Sequence, residues 1–142
     1  MKTYTISEVS EMFHLKASTL RYYEETGILT DIERTEAHQR IYTEKHINRL
    51  KTICCFKGTG MSIAQLQKFF TYESKEAEHI DDILDLLTGQ KEHVVKQMEQ
   101  LQFDLEHVNR KLRYYLDIKK SLEEKSLPPC WKDYKTKIFK DI

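Results

Sequence analysis

The side chains with the most directed chemistry lie between residues 18 and 57. Arg21 supplies a planar fork of N–H donors that fits a guanine edge or a phosphate, and Ser18, Thr19 and Tyr22 offer short hydroxyl contacts from the same helical face. Tyr23 and Glu24 either extend that set or support it. Tyr23 is a further contact or packs against the segment that follows, and Glu24 touches the ligand or holds Arg40. Arg34, Arg40 and Tyr42, together with Lys57 beside Gly58-Thr59, are candidates for gripping phosphates on either side of a groove. This is binding chemistry rather than bond making. There is no nucleophile elbow, phosphate loop or paired His-Glu motif, so neither an enzyme nor a cofactor is expected.

The three cysteines, Cys54, Cys55 and Cys130, are odd in number and two are adjacent, which does not resemble a secreted disulfide framework; reduced thiols are expected. Cys55 has Lys57 two residues away, a neighbour that favours a reactive thiolate, whereas Cys54 falls on the Ile47/Leu50 face as packing. A metal needs several soft ligands. Here Cys130 stands with His79, His93 and His107 scattered along one helix, so no metal site is expected; the one conceivable pairing sets His79 against Cys130 across an antiparallel dimer.

The elements that must position these residues follow from periodicity and caps. Ser7 caps a short helix over Glu8 to Phe13, with Ile6, Val9 and Phe13 on one face; His14-Leu15-Lys16 turns the chain; and Ala17 to Glu25 forms a second helix with Leu20 buried, closed by Gly27. Two short helices across a tight turn are the signature of a helix-turn-helix unit, whose second helix enters the major groove. From Ile28 to Tyr42 the helical period is lost, and a charged centre between Ile28/Leu29 and Ile41/Tyr42 predicts a hairpin, or wing. Thr43 caps a third helix to about Lys57 with Ile47, Leu50 and Ile53 inward, Gly58-Thr59-Gly60 ends it, and Ser62 caps a fourth over Ile63 to Phe70, contributing Leu66, Phe69 and Phe70 to a small core.

A 4-3 spacing then runs through Leu87, Lys91, Val94, Met98, Leu101, Leu105, Val108, Leu112, Tyr115, Lys119 and Leu122. Only the two lysines break the apolar seam, which would be roughly 50 Å long. A lone helix would leave that stripe in water, so the expected partner is a second copy of the chain; an intramolecular helical hairpin is the alternative. Pro128-Pro129 stops the helix, and Trp131, Tyr134 and Phe139 in the tail either cap the coiled coil or hold a small hydrophobic ligand. The division expected is a winged helix-turn-helix domain over 1–72, a connector over 73–80, a dimerisation coiled coil over 81–127 and a tail over 128–142. The fold class is mainly α, with a long antiparallel dimerisation coiled coil following the head.

Composition agrees. Of 142 residues 39% are hydrophobic and 32% charged, with only four Gly and two Pro, as a helix-rich chain requires. Lys plus Arg and Asp plus Glu both number 23, which argues against non-specific coating of nucleic acid. Residues 1–70 hold ten basic against eight acidic side chains and 71–142 thirteen against fifteen, so a DNA reader of this balance must place its few cations at the contact face. No apolar run is long enough for a membrane span and no signal peptide is evident, so a cytoplasmic location and no membrane contact are expected.

Taken together, Tyr4-Thr5-Ile6-Ser7-Glu8-Val9, Thr19-Leu20-Arg21-Tyr22-Tyr23-Glu24, Gly27-Ile28-Leu29, Arg34, Arg40-Ile41-Tyr42 and Gly60-Met61-Ser62-Ile63 resemble the MerR family of bacterial transcription regulators in order and spacing, to about Leu127. The resemblance implies a homodimer on double-stranded promoter DNA at a palindromic operator, acting on RNA polymerase by bending and undertwisting an over-long spacer. It also implies that Cys55, standing where an aldehyde- and thiol-stress-responsive subgroup carries a cysteine, and less directly Cys130, are candidate thiol sensors. One departure lies at the wing tip, where family members usually carry Asn-Gly and this chain has Ala37-His38. The rival class is a protein-interaction coiled-coil module without specific DNA readout.

Overall fold

Thr5, and not Ser7, opens the first helix. In the computed structural model, which describes residues 1–140, the Thr5 side chain accepts from the Glu8 N–H while the Glu8 carboxylate accepts from the Thr5 N–H at 2.9 Å, a complete capping box. Helix α1 therefore runs Ile6–Phe13 and is closed by His14 in the left-handed region. After the turn, α2 spans Ala17–Glu25, and Gly27 adopts φ +80°, the conformation that glycine adopts without steric cost.

The wing is a hairpin of β2 (Glu33–Arg34) and β3 (Arg40–Thr43), but the sheet has a third strand that the pattern did not show. β1 (Thr3–Tyr4) pairs antiparallel with β3 on the side away from β2, in register Tyr4 to Tyr42, while Arg34 faces Arg40 on the other side. A two-residue strand is too short to display alternation. At the wing tip the His38 N–H donates to the Thr35 carbonyl at 2.9 Å and the Thr35 N–H to the Gln39 carbonyl at 2.8 Å, and His38 takes φ +63°. The left-handed position expected of a glycine is thus kept by a histidine.

Helix α3 covers Glu44–Gly58 behind a Thr43 cap whose N3 partner is His46, a residue seldom used there. The buried imidazole takes the Thr43 N–H at Nδ1 (3.0 Å), which leaves Nε2 to donate to the Thr30 carbonyl at 2.9 Å, so one side chain joins the helix start to the loop before the wing. Ser62 and Gln65 form the capping box of α4, Ile63–Glu73, one turn longer than the apolar pattern indicates. Val9, Leu20, Ile28, Leu29, Leu50, Ile53 and Leu66 have no exposed surface and form one core with Phe69 and Phe70. Truncating any of these leucines to alanine would cost about 2–5 kcal/mol.

Helix α5 runs unbroken over Ile80–Glu124. The chain divides into two compact units after Gln90, so the head takes in the first turns of this helix: Ile83, Leu86 and Leu87 pack against the head core and the Gln90 amide donates to the Thr59 carbonyl and hydroxyl at 3.1 and 2.8 Å. Leu87, expected as a rung of the dimer seam, is therefore spent on the head. The second unit, from Lys91, contains the rest of α5 and the tail. The helix ends at Glu124 with Lys125 left-handed, ahead of Pro128-Pro129. The tail then returns along its own helix, with Tyr134 donating to Asp117 (2.6 Å), Arg110 to the Lys137 carbonyl (2.6 Å) and Asn109 to the Phe139 carbonyl (3.0 Å). Trp131 meets the rings of His107 and Tyr114 edge-on and lies under the Lys111 ammonium. The Asp117 contact holds the Tyr134 phenol protonated, its pKa pushed up to about 12.

A non-glycine residue in the left-handed region carries a strain of roughly 1 kcal/mol. His38→Gly is accordingly expected to raise the unfolding free energy by about that amount in urea titration, and a loss of stability would show that the imidazole makes contacts outweighing the strain.

Candidate nucleic-acid interface

On α2 the register of burial decides which side chains are presented. Leu20 and Tyr23 point into the core, which turns Ser18, Arg21 and Tyr22 outward on one face with Thr19 half-buried at its edge. This is the group expected to read base edges, less one member. Tyr23 is only 5% exposed and burial raises its pKa, so its side chain is a core element supporting that face and not a contact on it.

The wing is joined to this helix by a shared carboxylate. Glu24 Oε1 accepts from Arg40 Nε at 2.7 Å and lies 3.7 Å from Arg34 Nη2. The two arginines differ in what they have left to offer: the Arg40 side chain is 19% exposed and held by a short charge-assisted bond, whereas that of Arg34 is 44% exposed in a looser pair. Arg40 thus braces the wing against α2, and Arg34 is the more available cation. Tyr42, expected to grip a phosphate, has no exposed surface at all and belongs to the core, so that expectation gives way. Among the described residues its hydroxyl is the buried side-chain polar atom left without a partner. Lys57 is exposed in the last turn of α3, before the turn in which Gly60 is left-handed.

The three thiols differ in exposure. Cys54 is half-buried and burial pushes its pKa up; Cys55 and Cys130 are exposed. Among the described residues no group of three His, Cys, Asp or Glu side chains gathers as metal ligands would, and no helix is long and apolar enough to cross a membrane. The apolar seam of α5 is exposed at Met98, Leu101, Leu105, Val108, Leu112, Tyr115 and Leu122, while Val94 is half-buried.

Two clefts flank the recognition helix. The larger, about 580 Å³, lies near Gly27 and is lined by Arg49, Gln67 and Phe70 among others; Arg49 Nε donates to the Ile28 carbonyl (2.6 Å) with the guanidinium over the Phe70 ring, and Gln67 donates to the Thr26 carbonyl (2.8 Å). The smaller, about 400 Å³, opens between the start of α1, Arg21 and the wing residues His38, Gln39 and Arg40. The sequence carries no local signal for it, because its walls come from three separate segments.

The comparisons agree with this geometry. The profile of MerR HTH family regulatory proteins matches residues 4–73. An uncharacterised HTH-type transcriptional regulator of Haemophilus influenzae is 31% identical over 113 residues, 80% of this chain and 84% of that protein. The HTH-type transcriptional regulator AdhR of Bacillus subtilis is 28% identical over 91 residues, 64% of this chain and 65% of its own length. Among solved structures, HiNmlR, a MerR family regulator lacking the sensor domain and bound to promoter DNA, superposes with a TM-score of 0.73 at 30% identity, covering 88% of this chain and 97% of that one.

A buried hydroxyl without a partner costs about 1–3 kcal/mol of desolvation. Tyr42→Phe should therefore hold or raise stability and leave duplex affinity within about twofold; a tenfold loss of binding in an anisotropy titration would return Tyr42 to the contact surface.

Proposed function

This chain belongs to the MerR family of helix-turn-helix regulatory proteins, and from that premise we propose that it binds a palindromic promoter operator as a homodimer and controls transcription by distorting the promoter spacer. The operator face is Ser18, Thr19, Arg21 and Tyr22 in the major groove, with Arg34 and Lys57 on the flanking phosphates and Arg40 fixing the wing. The DNA-bound relative supports this assignment, since its match covers 88% of this chain.

The observation that carries the dimer is the state of α5. Its tail covers the face bearing His107, Arg110, Lys111, Tyr114 and Asp117, and the heptad stripe on the other side stays open, with Met98 and Leu101 about two-thirds exposed. A stripe of that regularity is best covered by a second copy of itself. Two heads fixed by one paired helix set the spacing of two half-sites. Small rotations of such heads bend and untwist the DNA between them, at a cost that contacts to the bent form offset. RNA polymerase is the further partner, engaging both promoter elements once they are realigned.

For the signal we assign Cys55, the exposed thiol of the adjacent pair, and not Cys54, whose burial disfavours the thiolate. Cys130 is exposed as well and is the second choice.

Light scattering after size exclusion should give a dimer at micromolar concentration. Leu105→Lys combined with Leu112→Lys should give a monomer that binds a duplex with twofold-related half-sites at least about a hundredfold more weakly, since the two heads then bind independently. A monomeric wild type, or one indifferent to such half-sites, ends the proposal. Cys55→Ala should keep duplex affinity but lose aldehyde- or oxidant-induced transcription; undiminished induction in a reporter assay would remove Cys55 from the mechanism.

A further inference from the structure

Helix α5 contains one glycine, and nothing around it accounts for the choice. Of the four glycines in the chain, Gly27 and Gly60 are left-handed and Gly58 is the last residue of α3. Gly89 lies inside α5 without a left-handed backbone. A methyl group in its place would meet no atom within 4 Å outside its own stretch of helix, so close packing does not call for a glycine. Nor does the dimer seam. Two residues from Leu87 and two from Lys91, Gly89 stands about 200° around the helix from both, on the side away from the stripe. An exposed glycine in a helix interior makes local opening about fivefold easier than alanine does.

Its place along the chain is the second observation. Ile83, Leu86 and Leu87 pack on the head core, the Gln90 amide donates to the Thr59 carbonyl (3.1 Å) and hydroxyl (2.8 Å), and the boundary between the two compact units falls directly after Gln90. Lys91, Glu92 and His93 are then exposed. The weak turn of the helix thus coincides with the point at which the head's hold on it ends. A helix serving only as a spacer would gain from alanine there; one on which a head must turn would not.

We propose that Gly89 is the flexure point at which each head turns on its dimerisation helix, and that the Gln90 amide on Thr59 is the latch that holds one setting of it. The inference rests on the homodimer reading and adds to it the place where rotation of the heads is taken up. Opening the helix at Gly89 lets the torsions of one or two residues absorb the turn, as hinges do, while the head core and the seam keep their packing. The latch lies one residue beyond the hinge, so a swing of the helix strains that side chain first.

The test measures how far each protein tolerates a change in half-site spacing. A duplex with twofold-related half-sites is selected in vitro, one base pair is inserted between the half-sites, and the loss of affinity is read by fluorescence anisotropy for the whole protein, for Gly89→Ala and for Gln90→Met. On a duplex with a single half-site all three should agree within about twofold, which checks that the heads are intact. The insertion should cost Gly89→Ala about fivefold more than wild type, because alanine makes the open turn rarer by that factor. It should cost Gln90→Met less than wild type. An equal penalty in Gly89→Ala overturns the hinge, and an equal penalty in Gln90→Met overturns the latch. Hydrogen exchange on the free protein decides the hinge without DNA: amides 89–93 should exchange faster than amides 83–87 and 101–112, and about fivefold more slowly in Gly89→Ala. Uniform protection along this stretch overturns the hinge. If selection returns no paired half-sites, it is the operator reading that fails, and the exchange profile still decides the hinge.

Discussion

Glu24 joins the recognition helix to the wing through one oxygen, and the geometry of the whole presented surface is referred to that contact. Arg40 and Arg34 sit on opposite strands of the hairpin, so a carboxylate reaching both fixes the hairpin's tilt as well as its distance. Tyr42, fully buried, lies close enough to feel the charges of Arg40, Glu24 and Arg34. A charged pair beside a buried aromatic is shielded from water on one side, which strengthens it relative to a surface pair. The exposed row of α2 is thereby tied to the wing.

The head's other junctions work in the same way, one polar side chain bridging two elements. His46 caps α3 and holds the loop at Thr30; Arg49 holds the Ile28 carbonyl while covering Phe70; Gln67 reaches Thr26; and Gln90 reaches Thr59. Each donates to a backbone carbonyl in a turn or loop between two of the head's elements. A small core of short helices gains much of its definition from these bridges, because its apolar side chains alone would tolerate several packings.

Within the second unit the two sides of α5 are put to different uses. The tail binds its own helix through aromatic edges and side-chain bonds to carbonyls, on residues that are polar or aromatic in the sequence. The heptad stripe from Met98 to Leu122 is mostly aliphatic and exposed. Aromatic and charged side chains suit a single returning strand of chain, whereas a long aliphatic ridge suits another ridge.

Elements and their faces were legible because they follow from local rules. The periods at Leu20, Ile47, Leu50 and Leu66 set the inward faces, the caps at Thr43 and Ser62 set helix starts, and Gly27 marked a left-handed turn. The motif around Arg21-Tyr22-Tyr23-Glu24 indicated the family. What depended on distance along the chain was not legible. Ser7 was the cap expected for the first helix until the Glu8 side chain closed the box on Thr5. Leu87 fitted the seam until the head core claimed it, and β1 was invisible without β3 to pair with. Tyr23 and Tyr42 carry the same hydroxyl as Tyr22, and only packing determined that Tyr22 faces out and they face in. Periodicity and capping are properties of neighbours in sequence and so are written in it; which of two chemically equal side chains meets solvent is settled by residues distant in the chain, and only the folded chain brings those together.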